Sequence, residues 1–174
     1  MKRSIFTDLF EAYQLPLYRY LLQMSRNKQV AEELLQETFY RAMISLEVKN
    51  MAQAKAWLFK VARNLFIDWT RKSKSEQLMV ERIQLERADN NNIGNPEEQL
   101  ENLTKQVHIE EVLSRLPERM RTILYIREIQ GFTYQEVATA MNLSVSQVKT
   151  TLFRARKKFR YYDQLLKGEY SDER

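Results

Sequence analysis

The sequence predicts an all-α fold: two small helical bundles joined by a linker, the C-terminal one containing a helix-turn-helix. Three observations lead there. The 174 residues include only three glycines and three prolines, too few for the many tight turns of a strand-rich fold. Apolar residues recur every three or four positions through most of the chain. The pattern lapses once, at Asp89-Asn90-Asn91-Asn92 and Gly94-Asn95-Pro96, which reads as an exposed linker.

A first helix is expected over residues 4–25, kinked or divided by Pro16. A second spans residues 28–46. Its apolar positions Ala31, Leu34, Leu35, Phe39, Ala42, Met43 and Leu46 form one stripe. A third starts near Gln53 and passes through Trp57, Leu58, Val61 and Leu65 toward Trp69. These three pack as one bundle, residues 1–74. Residues 75–95 begin polar and helical and then form the linker. The second domain covers residues 96–174. Asn95 can cap its first helix, Pro96 suits the first helical position, and Glu97 and Glu98 complement the positive helix end. That helix runs to about Arg115. Pro117 opens the next, which continues to Ile129, and Gly131 turns the chain.

Composition excludes several classes of chemistry. There is no cysteine, so no disulfide framework and no thiolate metal site. The single histidine, His108, is read as a surface or helix–helix residue, and neither metal nor cofactor is expected. The N-terminus MKRSIFTDLFEAY lacks the apolar run of a signal peptide. No window approaches the length of a transmembrane helix, so a cytoplasmic location is expected. A net charge of +5 and a pI near 9.4 suit a polyanionic partner, although charge of this size also occurs in proteins that bind no nucleic acid.

The most informative stretch begins at Gly131. Thr133-Tyr134-Gln135-Glu136 is a capping box, in which the Thr hydroxyl accepts from the Glu amide and the Glu side chain reaches back. Phe132 and Val137 form its hydrophobic staple. Ser144-Val145-Ser146-Gln147 repeats the device, with Leu143 and Val148 as staple. Two capped starts eleven residues apart leave room for one short helix. Asn142 between them tolerates the left-handed conformation of a helix end. This is a helix-turn-helix pattern. On the second helix Val148, Leu152, Ala155 and Phe159 face inward. Ser146, Lys149, Thr150, Phe153 and Lys157 form another face, flanked by Arg154, Arg156, Lys158 and Arg160. No acid occurs from Lys149 to Arg160, a composition suited to base edges in a major groove and to phosphates.

The motifs then resemble a known family. Leu116-Pro117-Glu118-Arg119-Met120-Arg121, Gly131-Phe132-Thr133-Tyr134-Gln135-Glu136-Val137-Ala138, Val148-Lys149-Thr150 and Phe153-Arg154-Ala155-Arg156 resemble region four of extracytoplasmic-function (group IV) sigma factors of the sigma-70 family. Ala31-Glu32-Glu33-Leu34-Leu35-Gln36-Glu37-Thr38-Phe39 resembles the polymerase-binding helix of region two. Ala56-Trp57-Leu58-Phe59-Lys60-Val61-Ala62-Arg63-Asn64, through Asp68 and Arg71, resembles its promoter-melting segment.

The resemblance implies an RNA polymerase sigma factor. Residues 1–74 act as region two and residues 96–174 as region four. Glu33, Gln36, Glu37 and Tyr40 would dock on core polymerase. Lys60, Arg63, Asn64, Asp68, Trp69, Arg71 and Lys72 would meet the unpaired minus-ten strand, with Asn64 and Asp68 at a base-reading loop. Thr133, Tyr134, Gln135, Ser144, Ser146, Gln147, Lys149, Thr150, Phe153, Arg154 and Lys157 would meet the minus-thirty-five duplex. An anti-sigma factor, often membrane-bound in the family, is implied as a further partner, and the free chain as a monomer. Ser146-Gln147 and Thr150-Thr151 depart from the family's frequent Gly-Thr and Ser-Arg, which implies different base contacts.

The residues themselves suit both tasks. Trp57, Phe59, Phe66 and Trp69 among Lys60, Arg63, Arg71, Lys72 and Lys74 could offer stacking platforms beside cations. Core packing is the alternative for Trp57 and Trp69, and the favoured reading for Trp57; for Asn64 the alternative is a helix cap. A rival reading is a dimeric helix-turn-helix regulator with an N-terminal sensing domain, which predicts a palindromic operator. An enzyme would need clustered carboxylates or a base beside a nucleophile, and here the acids are scattered.

Overall fold

A computed structural model describes residues 2–45, 51–80 and 96–172, and within these it contains helices and turns but no strand. The helices are α1 (Lys2–Ser25), α2 (Lys28–Ser45), α3 (Met51–Val80), α4 (Pro96–Ser114), α5 (Glu118–Leu124), α6 (Tyr134–Met141) and α7 (Val145–Asp172). The Asn-rich linker, the Asn95 cap and Leu46 lie outside the described residues.

The first helix is continuous through Pro16, so of the expected kink or division the division does not occur. Proline denies one backbone donor to the carbonyl four residues earlier. That residue, Ala12, is exposed, so water can take the carbonyl instead. At Ser25-Arg26-Asn27 the chain reverses, with Arg26 left-handed. The Asn27 side chain then caps α2, accepting from the Val30 amide at 3.1 Å.

The second helix corrects its predicted stripe. Ala31, Phe39 and Ala42 are buried, and Leu34 and Leu35 half-buried, but Met43 is 62% exposed. Thr38 takes the place in the core, its hydroxyl donating to the Leu34 carbonyl at 2.7 Å. This bond disposes of the buried polar group and lets a β-branched residue pack beside Phe39.

In the C-terminal half, Pro117 stands at the N-cap of α5. After Leu124 the helix widens into one π-turn, Tyr125–Ile129, closed by Gln130 N–H on Tyr125 O at 3.1 Å. Gly131 follows at φ +71, where a side chain would be strained. Helix α6 ends at Asn142 in the left-handed conformation, as its chemistry predicted. The inward stripe of α7 also stands: Val148, Leu152 and Ala155 are buried and Phe159 half-buried.

The two bundles are not separate bodies. Helix α3 packs against α6, and α1 against α5. A single apolar cluster contains Tyr20 and Phe59 of the first half and Tyr125 and Phe132 of the second. Phe59 and Phe132 meet edge to face at 4.8 Å between centroids. Full burial of Phe132 is worth roughly 1.5–3 kcal/mol, part of it from this contact.

Candidate nucleic-acid and polymerase interfaces

The helix-turn-helix is built by its two caps, and they differ. At Ser144 the box is complete: Gln147 N–H donates to Ser144 Oγ at 3.1 Å, and Ser144 N–H to Gln147 Oε1 at 2.9 Å. At Thr133 only half forms. Glu136 N–H donates to Thr133 Oγ1 at 3.1 Å, but the Glu136 carboxylate does not reach back. It accepts from Lys55 Nζ of α3 at 2.8 Å. An ammonium is a stronger partner for a carboxylate than a neutral amide, so the tertiary contact takes it.

These caps present α7 with Ser146, Lys149, Thr150, Phe153, Arg154 and Lys157 all exposed. Phe153, 66% exposed, is a large apolar side chain facing solvent among donors. Thr150 gives its proton to the Ser146 carbonyl at 3.2 Å and keeps acceptor capacity. Ser144, Gln147 and Thr133 spend side-chain groups on capping, and Gln135 is exposed. Tyr134 is half-buried between two cations, with the Arg127 guanidinium 4.4 Å and Lys149 Nζ 6.0 Å from its ring centroid. Arg127 also donates to the Phe132 carbonyl at 2.6 Å, so it braces the entry to α6. Sequence reasoning missed Arg127, and no spacing signal would have found it.

On α3, Lys60, Asn64, Asp68 and Arg71 fall at helical spacing on one stripe, with Lys72 beside it. Asn64, Asp68, Arg71 and Lys72 are exposed, and Lys60 and Trp69 half-buried. Two expectations need correction. Asn64 and Asp68 lie within a continuous helix, neither on a loop nor at a cap. Phe59 and Phe66 are buried and offer no open stacking face; Trp57 packs half-buried against the core.

Arg63 is turned toward the other half. Its Nε and Nη2 donate to the two oxygens of Glu118 at 2.7 and 3.0 Å. Burial alone would lower its pKa, but the bond and charge of Glu118 outweigh it and hold the guanidinium above its ordinary value. Glu118 also accepts from Thr122 Oγ1 at 2.9 Å, and Thr122 lies 3.0 Å from the Tyr20 hydroxyl. Thr122 has one proton and a carboxylate can only accept, so Tyr20 donates to Thr122. Burial raises the Tyr20 pKa, outweighing the opposing effect of the Thr122 bond. Arg121 donates to the Met24 and Leu116 carbonyls at 3.3 and 3.4 Å. Its buried Nε lacks a partner, and burial lowers its pKa.

On α2, Glu33, Gln36 and Tyr40 are exposed along one face, and half-buried Glu37 accepts from Arg41 at 3.0 Å. Exposed Met43 and Ile44 extend this face with apolar surface. Periodicity concealed Met43 because it also fitted the core stripe. In the C-terminal half, Ile109, Leu113, Leu124, Ile129 and Phe159 line an apolar cleft of about 310 Å³ rimmed by Arg156 and Arg160. His108, read as a surface or helix–helix residue, joins α4 to α7 through Asp163 at 2.6 Å. Among the described residues no helix is long and apolar enough to cross a membrane, and no group of three or more metal-ligating side chains occurs.

Comparison with known proteins agrees with this anatomy. Residues 9–76 match the family description "Sigma-70 region 2", and residues 106–159 match "Sigma-70, region 4". The chain is 36% identical over 157 residues to the ECF RNA polymerase sigma factor SigM of Bacillus subtilis (strain 168), covering 88% of this chain and 91% of SigM. It is 33% identical over 175 residues to SigX of the same organism, covering 97% and 88%. Its fold is similar to sigma factor RpoE from Bartonella quintana, solved in complex with the anti-sigma factor NepR. The TM-score is 0.68 at 23% identity, over 90% of this chain and 95% of that one. It is also similar to CnrH in complex with the cytosolic domain of CnrY, with TM-score 0.66 at 18% identity, over 95% and 90%. Sigma factors regulate transcription and are not enzymes in the usual sense. Two regions in family order and relatives matched over nearly their whole length show that the chain belongs to the extracytoplasmic-function sigma factors of the sigma-70 family.

Proposed function

We propose how this RNA polymerase sigma factor divides its work. Residues 1–74 bind core polymerase and open the minus-ten element, residues 75–95 link, and residues 96–174 read the minus-thirty-five element as duplex. The observation that carries this is the exposed face of α7, on which Ser146, Lys149, Thr150, Phe153, Arg154 and Lys157 stand together. From Lys149 to Arg160 that helix has no acid. Such a face can lie against base edges while its flanking cations meet phosphates. Thr133, Tyr134, Gln135, Ser144 and Gln147 sit at the helix starts, where backbone and hydroxyl donors suit phosphate oxygens.

In region two, Lys60, Asn64, Asp68, Trp69, Arg71 and Lys72 line the strand that is pulled from the duplex. Asn64 offers both donor and acceptor to a flipped base. Arg63 joins them when its carboxylate partner leaves. Glu33, Gln36, Glu37 and Tyr40 dock on polymerase, and the apolar Met43 and Ile44 support that role. One solved neighbour, RpoE, is a sigma factor in complex with an anti-sigma factor, and the cleft at Ile129 and Phe159 supports a protein partner of that kind here. We place the protein in the cytoplasm, as a monomer when free and without catalytic activity.

Run-off transcription with core polymerase across a genomic promoter pool tests the proposal. Defined start sites that depend on this chain are expected; their absence with folded protein would refute it. Within that assay, Asn64→Ala should keep polymerase binding and lose permanganate reactivity of the minus-ten thymines. Normal reactivity would remove Asn64 from the melting surface.

A further inference from the structure

One aromatic ring at the start of α6 is shared by two cations from different elements. Tyr134 is the first residue of α6 and is half-buried. The Arg127 guanidinium lies 4.4 Å from its ring centroid, and the Lys149 ammonium 6.0 Å. Arg127 belongs to the π-turn and Lys149 to the exposed face of α7. The Arg127 fork also donates to the Phe132 carbonyl at 2.6 Å. It thus grips the backbone just before the Thr133 cap and the Tyr134 ring just after it. The backbone fixes this support: Gln130 N–H closes the π-turn on Tyr125 O at 3.1 Å, and Phe132 N–H reaches the Ile126 carbonyl at 3.0 Å. Glu128, the next residue of the turn, engages Arg156 of α7 through its Nε at 2.8 Å. That third cation is therefore committed elsewhere, while Arg127 and Lys149 meet the ring.

We propose that Arg127 is a positioning residue for promoter reading: by fixing the Tyr134 ring it aims the Lys149 ammonium at one base edge, without itself touching a base. This rests on the reading of α7 as the duplex-reading face. Lys149 is exposed on a long, flexible stem. A fixed ring beside it narrows the directions its ammonium takes, so less freedom is lost when it meets DNA. An unaimed ammonium is a point charge that finds phosphate oxygens as readily as base acceptors. Arginine suits the supporting place because one planar group can donate in its plane to a carbonyl while its face lies on a ring. The π-turn fits this role, since such turns occur often where a side chain must be re-aimed at a functional site.

The test transcribes a promoter library with core polymerase and full-length variants, and reads base preference position by position. K149A should flatten the preference at one position of the minus-thirty-five element. R127A should reduce the preference at that same position by about three- to tenfold and leave the other positions as they are. Y134L should give the same loss there. The double variant R127A/K149A should be no flatter at that position than K149A alone, because both changes remove one interaction. Helical circular dichroism checks folding. R127Q keeps a donor for the Phe132 carbonyl but has no charge for the ring, so it should show the single-position loss even if R127A fails to fold. Full wild-type preference in R127Q would overturn the proposal, leaving Arg127 as a brace for α6 alone. Additive losses in the double variant would also overturn it. So would uniform weakening of all promoters by R127A with a salt slope shallower by about one, the signature of a phosphate contact. In each of these cases K149A still flattens one position, and α7 stands as the reading surface. Should K149A itself shift no base preference, the base-reading role of Lys149 fails and the positioning role falls with it.

Discussion

Glu118 holds Arg63 at two points, 2.7 and 3.0 Å, across a sequence separation of 55 residues. The pair joins α3, in the part matched by region 2, to α5, in the part matched by region 4. Glu118 is at the start of α5, where its charge also complements the helix dipole. One side chain thereby serves a helix end, Thr122 and a guanidinium.

Glu118→Ala should therefore destabilise the chain more than a surface ion pair would. It leaves Arg63 and Arg121 in partly buried positions without that carboxylate, a loss of about 1–3 kcal/mol. Glu118→Gln should cost less, since it keeps an acceptor for Thr122. Urea denaturation checks the order; equal midpoints for Glu118→Ala and wild type would mean the pair adds nothing to stability.

The two helix starts should respond unequally to loss of their hydroxyls. Ser144→Ala breaks a complete box and should cost about 1 kcal/mol. Thr133→Ala breaks only half of one, and about half that loss is expected. Thermal melts of both variants decide the matter, and a larger loss at Thr133 would contradict the geometry.

Lys149→Ala separates base reading from phosphate contact. A base contact predicts relaxed preference at one promoter position, worth about 1–3 kcal/mol of discrimination. A phosphate contact predicts uniform weakening and a shallower salt dependence. A promoter library transcribed with both proteins reads this directly, and no change at all would take Lys149 out of the interface.

Acid should loosen the α4–α7 clasp. The His108 bond, and then the Lys167 bond at 3.0 Å, hold the Asp163 carboxyl below its ordinary value of 3.8. A depressed acid stabilises the folded state fully above the ordinary value and loses that contribution as pH falls through its own lower one. Asp163→Asn should thus narrow the difference in melting temperature between pH 6 and pH 3 (pH values chosen to bracket about 3.9). An unchanged difference would show that other carboxylates carry the acid sensitivity.

Much of this anatomy was legible in the chain because it rests on local rules. The αL end at Asn142, the box at Ser144 and the inward stripe Val148, Leu152 and Ala155 each follow from a few neighbouring residues. Errors arose where a residue had two locally acceptable places. Met43 fits the core stripe of α2 by spacing, yet Thr38 is buried and Met43 faces out. Phe59 and Phe66 look like spare aromatics beside cations, yet both are buried; for Phe59 the opposing half supplies a second apolar surface, Phe132, that periodicity within one helix does not reveal.

From the sequence alone came the all-helical class, the two regions and the exposed, basic face of α7. These depend on capping chemistry, helical period and charge within a few turns. Only the tertiary structure decided that Glu136 leaves its cap for Lys55 and that Arg63 is engaged by Glu118. Those partners are 81 and 55 residues away. Their choice is electrostatic and depends on how two bundles dock, a relation that no local pattern in either bundle encodes.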